Sequence, residues 1–430
     1  MTAINNKKNI LISPLYWGTG HATRVQVLAR ELKKRGHRII IAAPPALHKI
    51  FDSSAYDELT GSWSPRLSYP RFLPLYLGVL VQLPLLLAAF IYDRHMAVWL
   101  IRRYNIDILI SDNRFGMRSP EVHSIYITHQ PRVIVPQPFA FAGNIVSAIH
   151  RRMASAYDEC WIPDLPGTPN ISGRLSHGCK LPPATSYIGI LSRFTPGEKD
   201  RRPCAGNHRV AAGSNGSGND RVAAGSNGSV NDRVAAGSNS AGSKAFTLAI
   251  LSGPEPRRTM LEKIIISRKD SLPGHLVIVA GKPGDRADDQ AEGITRHAWL
   301  DGQSLRQLMC DAHLIICRSG YSTIMDLFAL GRTACLVPTP GQPEQEYLAV
   351  YLSASHGFTA VSQAELASAV STESKEHPNS AGGARRAHAE KWIKAQGSAP
   401  SENTDWNAES RMLLEKALDR LFRKQPSSAT

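Results

Sequence analysis

Gly18-Thr19-Gly20-His21 follows a short apolar run and leads into a helical pattern. Glycines at such a turn let backbone amides approach a ligand closely, and the helix N-terminus behind them favours negative charge. Gly18 and Gly20 supply the turn, and His21 is a titratable ring able to take a proton near neutral pH. The third glycine of a dinucleotide fingerprint is missing, so NAD is a poor fit. A second turn of similar design, Arg318-Ser319-Gly320, opens a helix at Tyr321. There the amides and hydroxyls of Tyr321, Ser322 and Thr323 would suit a diphosphate, and Asp326 could accept hydrogen bonds from a ribose diol. The same residues could equally serve structure alone, Ser319 as a helix cap and Asp326 as a charge favoured near the positive helix end. Between Val337 and Tyr347, four amide or carboxylate side chains, Gln345 and Glu346 among them, follow a strand-like run where sugar hydroxyls could be read. Asp112 follows the run Ile106 to Ser111, with Arg114 close by; it could act as a base, orient His21, or cap a turn. His129, at the next strand end, is a further candidate.

These side chains need strands to end beside them and helices to begin there. Asn9 to Ser13, Arg38 to Ala43, Ile106 to Ser111 and Ser124 to Thr128 read as strands, and Val25, Leu28, Ala29 and Leu32 form one helical face. Further on, Phe246 to Leu251, Leu276 to Ala280, Leu314 to Cys317 and Ala334 to Val337 are strand-like, and Leu305, Leu308, Met309 and Ala312 mark another helix. Repeated β-α-β units imply an α/β chain with two parallel sheets, whose strand ends face each other across a cleft. The expected domains are 1–200 and 245–365. Between them, 201–244 is a low-complexity linker in which Arg-Val-Ala-Ala-Gly-Ser-Asn recurs from Arg209, Arg221 and Arg233, too poor in large apolar residues to build a core. After 365 a polar tail to 430 carries a terminal amphipathic helix around Met412 to Leu421.

The chain has 430 residues and 42% apolar content, sufficient for ordinary cores, and a net charge of +14. Residues 1–200 hold 23 basic and 13 acidic side chains, so most of the excess lies in the first domain. That favours an anionic partner. No nucleic-acid motif or interleaving of aromatic and basic residues accompanies the charge, and nucleic acid is not expected. Phe72 to Tyr92 is long enough, about 32 Å as a helix, to cross a bilayer. Pro74, Gly78 and Pro84 interrupt it, and a span would separate the two motifs, so two short helices are expected. With Arg66, Arg71, Arg94, Arg102 and Arg103 around it, the stretch would form an apolar patch for an anionic membrane surface. The six cysteines show no metal-ligand spacing, and neither a metal site nor a disulfide is expected. The first twenty residues lack a signal-peptide pattern, so residence in the cytoplasm, peripheral on the inner membrane face, is the expectation.

Taken in order, Gly18-Thr-Gly-His21, Arg318-Ser-Gly with Asp326, and the Pro-rich Gln/Glu loop resemble glycosyltransferase family 28, which includes the N-acetylglucosaminyltransferase of peptidoglycan synthesis. Trp17 to Arg24, Ser111 to Gly116, Thr128 to Gln130 and Ser172 to His177 are most similar to a group of bacterial family 28-like proteins. The resemblance covers most of 9–195 and 246–362. It implies the GT-B fold, two Rossmann-like domains, with a nucleotide-sugar donor on the C-terminal domain and an acceptor on the N-terminal one. It implies an inverting, metal-independent transferase, with a UDP-sugar as substrate and no cofactor. By the same resemblance Tyr321, Ser322 and Thr323 form the phosphate turn, Ser252 and Gly253 a second phosphate-facing loop, and Asp326 the ribose ligand, where the family has Glu. Gln345 and Glu346 match a glutamine pair that holds the donor sugar, and His297 to Leu300 fall where the base packs. A UDP-sugar 2-epimerase and a non-catalytic nucleotide-sugar-binding protein are the alternative readings.

Overall fold

The computed structural model describes residues 7–16, 19–65, 81–135, 139–194, 204, 245–284, 289–368 and 405–423. The first domain is a seven-stranded parallel sheet built from β1 (Asn9–Pro14), β2 (Arg38–Ala43), β3 (Glu58–Gly61), β4 (Ile108–Asp112), β5 (His123–Ile127), β6 (Glu159–Ile162) and β7 (Thr185–Tyr187). Its strand order is β3-β2-β1-β4-β5-β6-β7. Helix α1 (Thr19–Lys34) covers one face, where Val25, Leu28 and Leu32 meet Ile10, Ile12, Ile39 and Ile41. On the other face Leu11, Ile40 and Leu109 pack against Ala97, Leu100 and Ile101 of α2 (Leu83–Tyr104). Burial on both faces is why these strands read as unbroken apolar runs. Helix α3 (Gly143–Ala154) crosses between β5 and β6.

The second domain repeats the plan with β8 (Phe246–Ile250), α4 (Arg257–Ser267), β9 (His275–Val279), β10 (Asp289–Ala291), β11 (Ile294–His297), α5 (Gly302–Asp311), β12 (Leu314–Cys317), α6 (Tyr321–Ala329), β13 (Cys335–Leu336), α7 (Pro343–Ser355), β14 (Thr359–Ala360) and α8 (Gln363–Ser368). The order is β10-β11-β9-β8-β12-β13-β14, parallel except for the β10–β11 pair. In each sheet the winding reverses beside the first strand, between β1 and β4 and between β8 and β12. Ligands of doubly wound sheets sit at such switch points, beyond the strand C-termini.

Three expectations are corrected here. The apolar stretch breaks at the turn residue Gln82, after helical Val81, and not at Pro84. That proline lies in the first turn of α2, where a missing N–H costs nothing, and the helix runs 22 residues to a left-handed stop at Asn105. Residues 66–80, including Arg66, Arg71 and Phe72, lie outside the described residues, as does the repeat. The terminal helix α9 (Trp406–Arg423) is part of the body rather than a tail. Trp406 packs on Phe328 of α6, while Phe422 stacks on His37 and Asp419 pairs with Arg35, at the end of α1, at 2.7 Å. Cys204 and Cys310 are joined as a disulfide, tying the chain after β7 to the C-terminal end of α5. Separated by 106 residues, the two cysteines offered no local spacing to read. Arg114, close to Asp112 in sequence, has partners of its own. It is buried against Asp93 of α2 and donates to Ser13 Oγ and Ser62 Oγ, pinning α2 to the sheet.

Candidate active site

Asp112 sits at the C-terminal end of β4, level with Pro14 of β1, and has no solvent exposure. A carboxylate so placed must be paired. Its partners come from α1, where His21 and Arg24 are three residues apart and therefore share a face. His21 Nδ1 lies 3.0 Å from Asp112 Oδ2, Arg24 Nε donates to the same oxygen at 2.9 Å, and Arg24 Nη2 donates to Oδ1. Burial alone would raise the Asp112 carboxyl, but Arg24 and then His21 outweigh it and hold it at about 2. His21 is lowered, first by burial and then by Arg24, against the pull of Asp112. It is therefore neutral at physiological pH. Arg24 Nη2 also lies 2.8 Å from His21 Nδ1, so that nitrogen either donates to Asp112 or accepts from Arg24. Only the first tautomer leaves Nε2 basic, and it is the one a carboxylate partner selects in hydrolytic triads.

The network continues across the cleft. Arg24 Nη1 donates to His129 Nδ1 at 3.3 Å, and His129 Nε2 donates to Glu344 Oε1, 2.8 Å away in the first turn of α7. The His129 ring stacks on Tyr321 with centroids 4.1 Å apart, and the Tyr321 hydroxyl donates to the Pro163 carbonyl at 3.0 Å. Arg24 was missed by sequence reasoning, and Glu344 was read only as one of four loop side chains suited to sugar hydroxyls. Arg24 had a signal, its spacing from His21. Glu344 had little, because the side of α7 that faces the cleft depends on where the helix begins.

On the donor side Gly320 is the N-cap of α6 and no side chain caps it, leaving the first amides open. Ser319 is not the cap: its hydroxyl donates to the Gln345 carbonyl at 2.7 Å. Gly20, in the first turn of α1, comes so close that a Cβ there would lie 2.6 Å from Ser322 Oγ. Two helix N-termini thus converge, and both favour an anion between them. Ser322 and Thr323 are half-buried in this junction. Ser252 and Gly253 follow β8 at the neighbouring strand end, with Gly253 at φ 94°, a conformation suited to glycine. Gly18 lies outside the described residues.

Asp326 and the Gln345–Glu346 pair take other partners in this structure. Asp326 does not open into the cleft: it is buried, with Ser192 Oγ donating to Oδ1 at 2.7 Å and Arg193 Nε to Oδ2 at 2.9 Å. Its helix face looks toward the chain leaving the first domain, and a ribose would have to displace both partners. Gln345 and Glu346 shape their own loop, accepting from Thr339 N at 2.9 Å and Gly341 N at 2.7 Å.

Two Rossmann-like domains with strand ends face to face define a GT-B fold. The chain aligns with the calicheamicin glycosyltransferase CalG4 over 98% of its length and 100% of that protein's, with a TM-score of 0.55 at 12% identity. It also aligns, over 98% of each chain, with a protein described as a UDP-N-acetylglucosamine 2-epimerase from Listeria monocytogenes, with a TM-score of 0.52 at 12% identity. Residues 287–392 match the glycosyltransferase family 28 C-terminal domain. A stretch of 55 residues is 49% identical to the UDP-N-acetylglucosamine–N-acetylmuramyl-(pentapeptide) pyrophosphoryl-undecaprenol N-acetylglucosamine transferase of Rhodospirillum rubrum. That alignment spans 13% of this chain and 14% of the relative.

Proposed function

We propose that this protein is an inverting glycosyltransferase that moves a sugar from a UDP-sugar to a lipid-linked acceptor. The observation that carries the reading is the His21–Asp112–Arg24 cluster, set opposite the uncapped N-terminus of α6 across the cleft. The acceptor hydroxyl gives its proton to His21 Nε2 as its oxygen bonds to C1 of the sugar. The bond from C1 to the diphosphate breaks on the opposite side, and UDP departs toward the α6 amides. Asp112 holds the ring and stabilises the imidazolium that forms. The dipole and open amides at that helix N-terminus stabilise the departing charge, and this reading calls for no cofactor.

An anionic membrane face fits the acceptor side. Leu83, Leu87, Ile91 and Trp99 lie at intervals of four or eight along α2, each at least half exposed. By length and composition α2 could cross a bilayer, yet its second half is docked on the sheet through Ala97, Leu100 and Ile101. We therefore infer a peripheral rather than a spanning role, on the cytoplasmic face of the membrane.

The test is UDP release from a panel of UDP-sugars, with and without a membrane lipid extract. His21→Ala should slow release about 10²- to 10⁴-fold, the usual worth of a positioned base. Silence with every donor overturns the reading. Product formed from a UDP-sugar alone would instead establish the epimerase, and UDP binding without turnover a non-catalytic protein.

A further inference from the structure

Away from the His21 cluster, the first domain has a cavity of about 290 Å³ lined by Arg132, Asn144, Ser147, Arg151, Cys179 and Lys180. Asn144, Ser147 and Arg151 are spaced i, i+3 and i+7 on α3, so one helix face looks into it. Arg132 comes from the loop after β5 and Lys180 from the segment before β7. Three cations from three parts of the chain converge there, and none forms an ion pair with any described residue. Burial raises the Cys179 thiol, while Arg132 and Arg151 pull it the other way, as two uncompensated positive charges close by should. Such a cluster repels itself unless an anion joins it.

We propose that this cavity binds a phosphate or diphosphate group of the acceptor. The proposal rests on the transferase reading only for the word acceptor; the anion site stands on the cavity. Guanidinium groups suit phosphate oxygens because they donate in a planar fork. The cavity is near the lower bound of small-ligand pockets, about 300 Å³, and so takes a headgroup rather than a whole glycolipid. Its position fits. Arg132 is three residues past His129, at most about 11 Å along the chain, so a phosphate held here keeps the adjoining sugar within reach of the His21 cluster. The adjacent face of α3 exposes Ile145 and Ile149, 62% and 56% accessible, where a lipid tail would leave the protein.

The probe is inorganic pyrophosphate, titrated calorimetrically into the full chain with UDP already saturating the donor site. Arg132→Gln and Arg151→Gln should each weaken binding about tenfold, the worth of one charge-assisted hydrogen bond. Arg152→Gln, one residue outside the cavity, should change it less than twofold. Of the free cysteines, Cys160, Cys317 and Cys335 are buried and Cys179 is half-buried, so maleimide labelling reports the site, and pyrophosphate should slow it several-fold. Lys180→Gln, at an exposed position, replaces any arginine variant that fails to fold. Pyrophosphate binding that ignores these substitutions, or that leaves Cys179 unprotected, overturns the proposal. Protection of Cys179 in a protein that releases no UDP from any donor keeps the anion site and removes the transferase. In a second arm, retention on phosphatidylglycerol vesicles that pyrophosphate competes and Arg151→Gln reduces assigns the phosphate to a lipid. Retention indifferent to both assigns it to a soluble ester.

Discussion

A carboxylate with no exposure needs a cation beside it, and Asp112 has Arg24 along both oxygens. Removing one member of a buried pair leaves the other uncompensated, typically at 3–5 kcal/mol. Arg24→Met should therefore lower unfolding free energy by about that amount in denaturant melts, and adding Asp112→Asn should restore part of it. The pair also sets an acid limit. The Asp112 carboxyl sits near 2 in the fold against an ordinary 3.8. Depressed groups stabilise above their unfolded value and lose that stability as pH falls through the folded one. About 2 kcal/mol should disappear between pH 4 and pH 2, at about 1.4 kcal/mol per unit, and melts of Asp112→Asn over that range should lack the step. Much of this site was legible: His21, Asp112 and His129 all stand at strand or helix ends that the apolar runs marked. Arg24 was not, because an arginine in an amphipathic helix usually reaches solvent, and only its neighbours reveal that this one is buried. Asp326 misled for the opposite reason, since helix spacing places a side chain on a face but does not say which neighbour occupies that face.

At the level of elements, strands were easy to read and helix starts were not. A strand buried on both sides is one apolar run whichever neighbours it has, whereas Pro84 reads as a break until Gln82 is seen as the residue before a helix. The exposed first half of α2 makes a clean test. Leu87→Glu with Ile91→Glu alters side chains 60% and 50% exposed, so stability should move by no more than about 0.5 kcal/mol for each change. Retention on phosphatidylglycerol vesicles should be lost, and retention equal to that of the unaltered protein would remove α2 from the membrane face. Helix α9 predicts the reverse balance. Trp406 is buried on Phe328, and Trp406→Ala should cost about 3–5 kcal/mol in chemical denaturation without touching vesicle binding. Nothing in the amphipathic pattern of α9 revealed this, because a helical stripe shows that a face is buried but not against what.

Across the whole molecule the domains meet through specific polar contacts. Glu344 reaches His129, Tyr321 reaches Pro163, and the Tyr351 hydroxyl donates to the Asn170 carbonyl at 3.1 Å. A donor must enter between surfaces that touch here, so UDP should change the radius of gyration measured by small-angle scattering, and an unchanged radius would mean entry without domain movement. The path of α9 carries a different consequence. It begins against α6 of the second domain and ends against Arg35 and His37 of the first, with Ser410 Oγ accepting from Ile190 N on the way. The first domain is therefore finished by a helix that follows the second domain in the chain. The first domain cannot close until the second has been made, and two halves separated by a protease site engineered between 205 and 243 should still elute as one particle, even with the Cys204–Cys310 bond reduced.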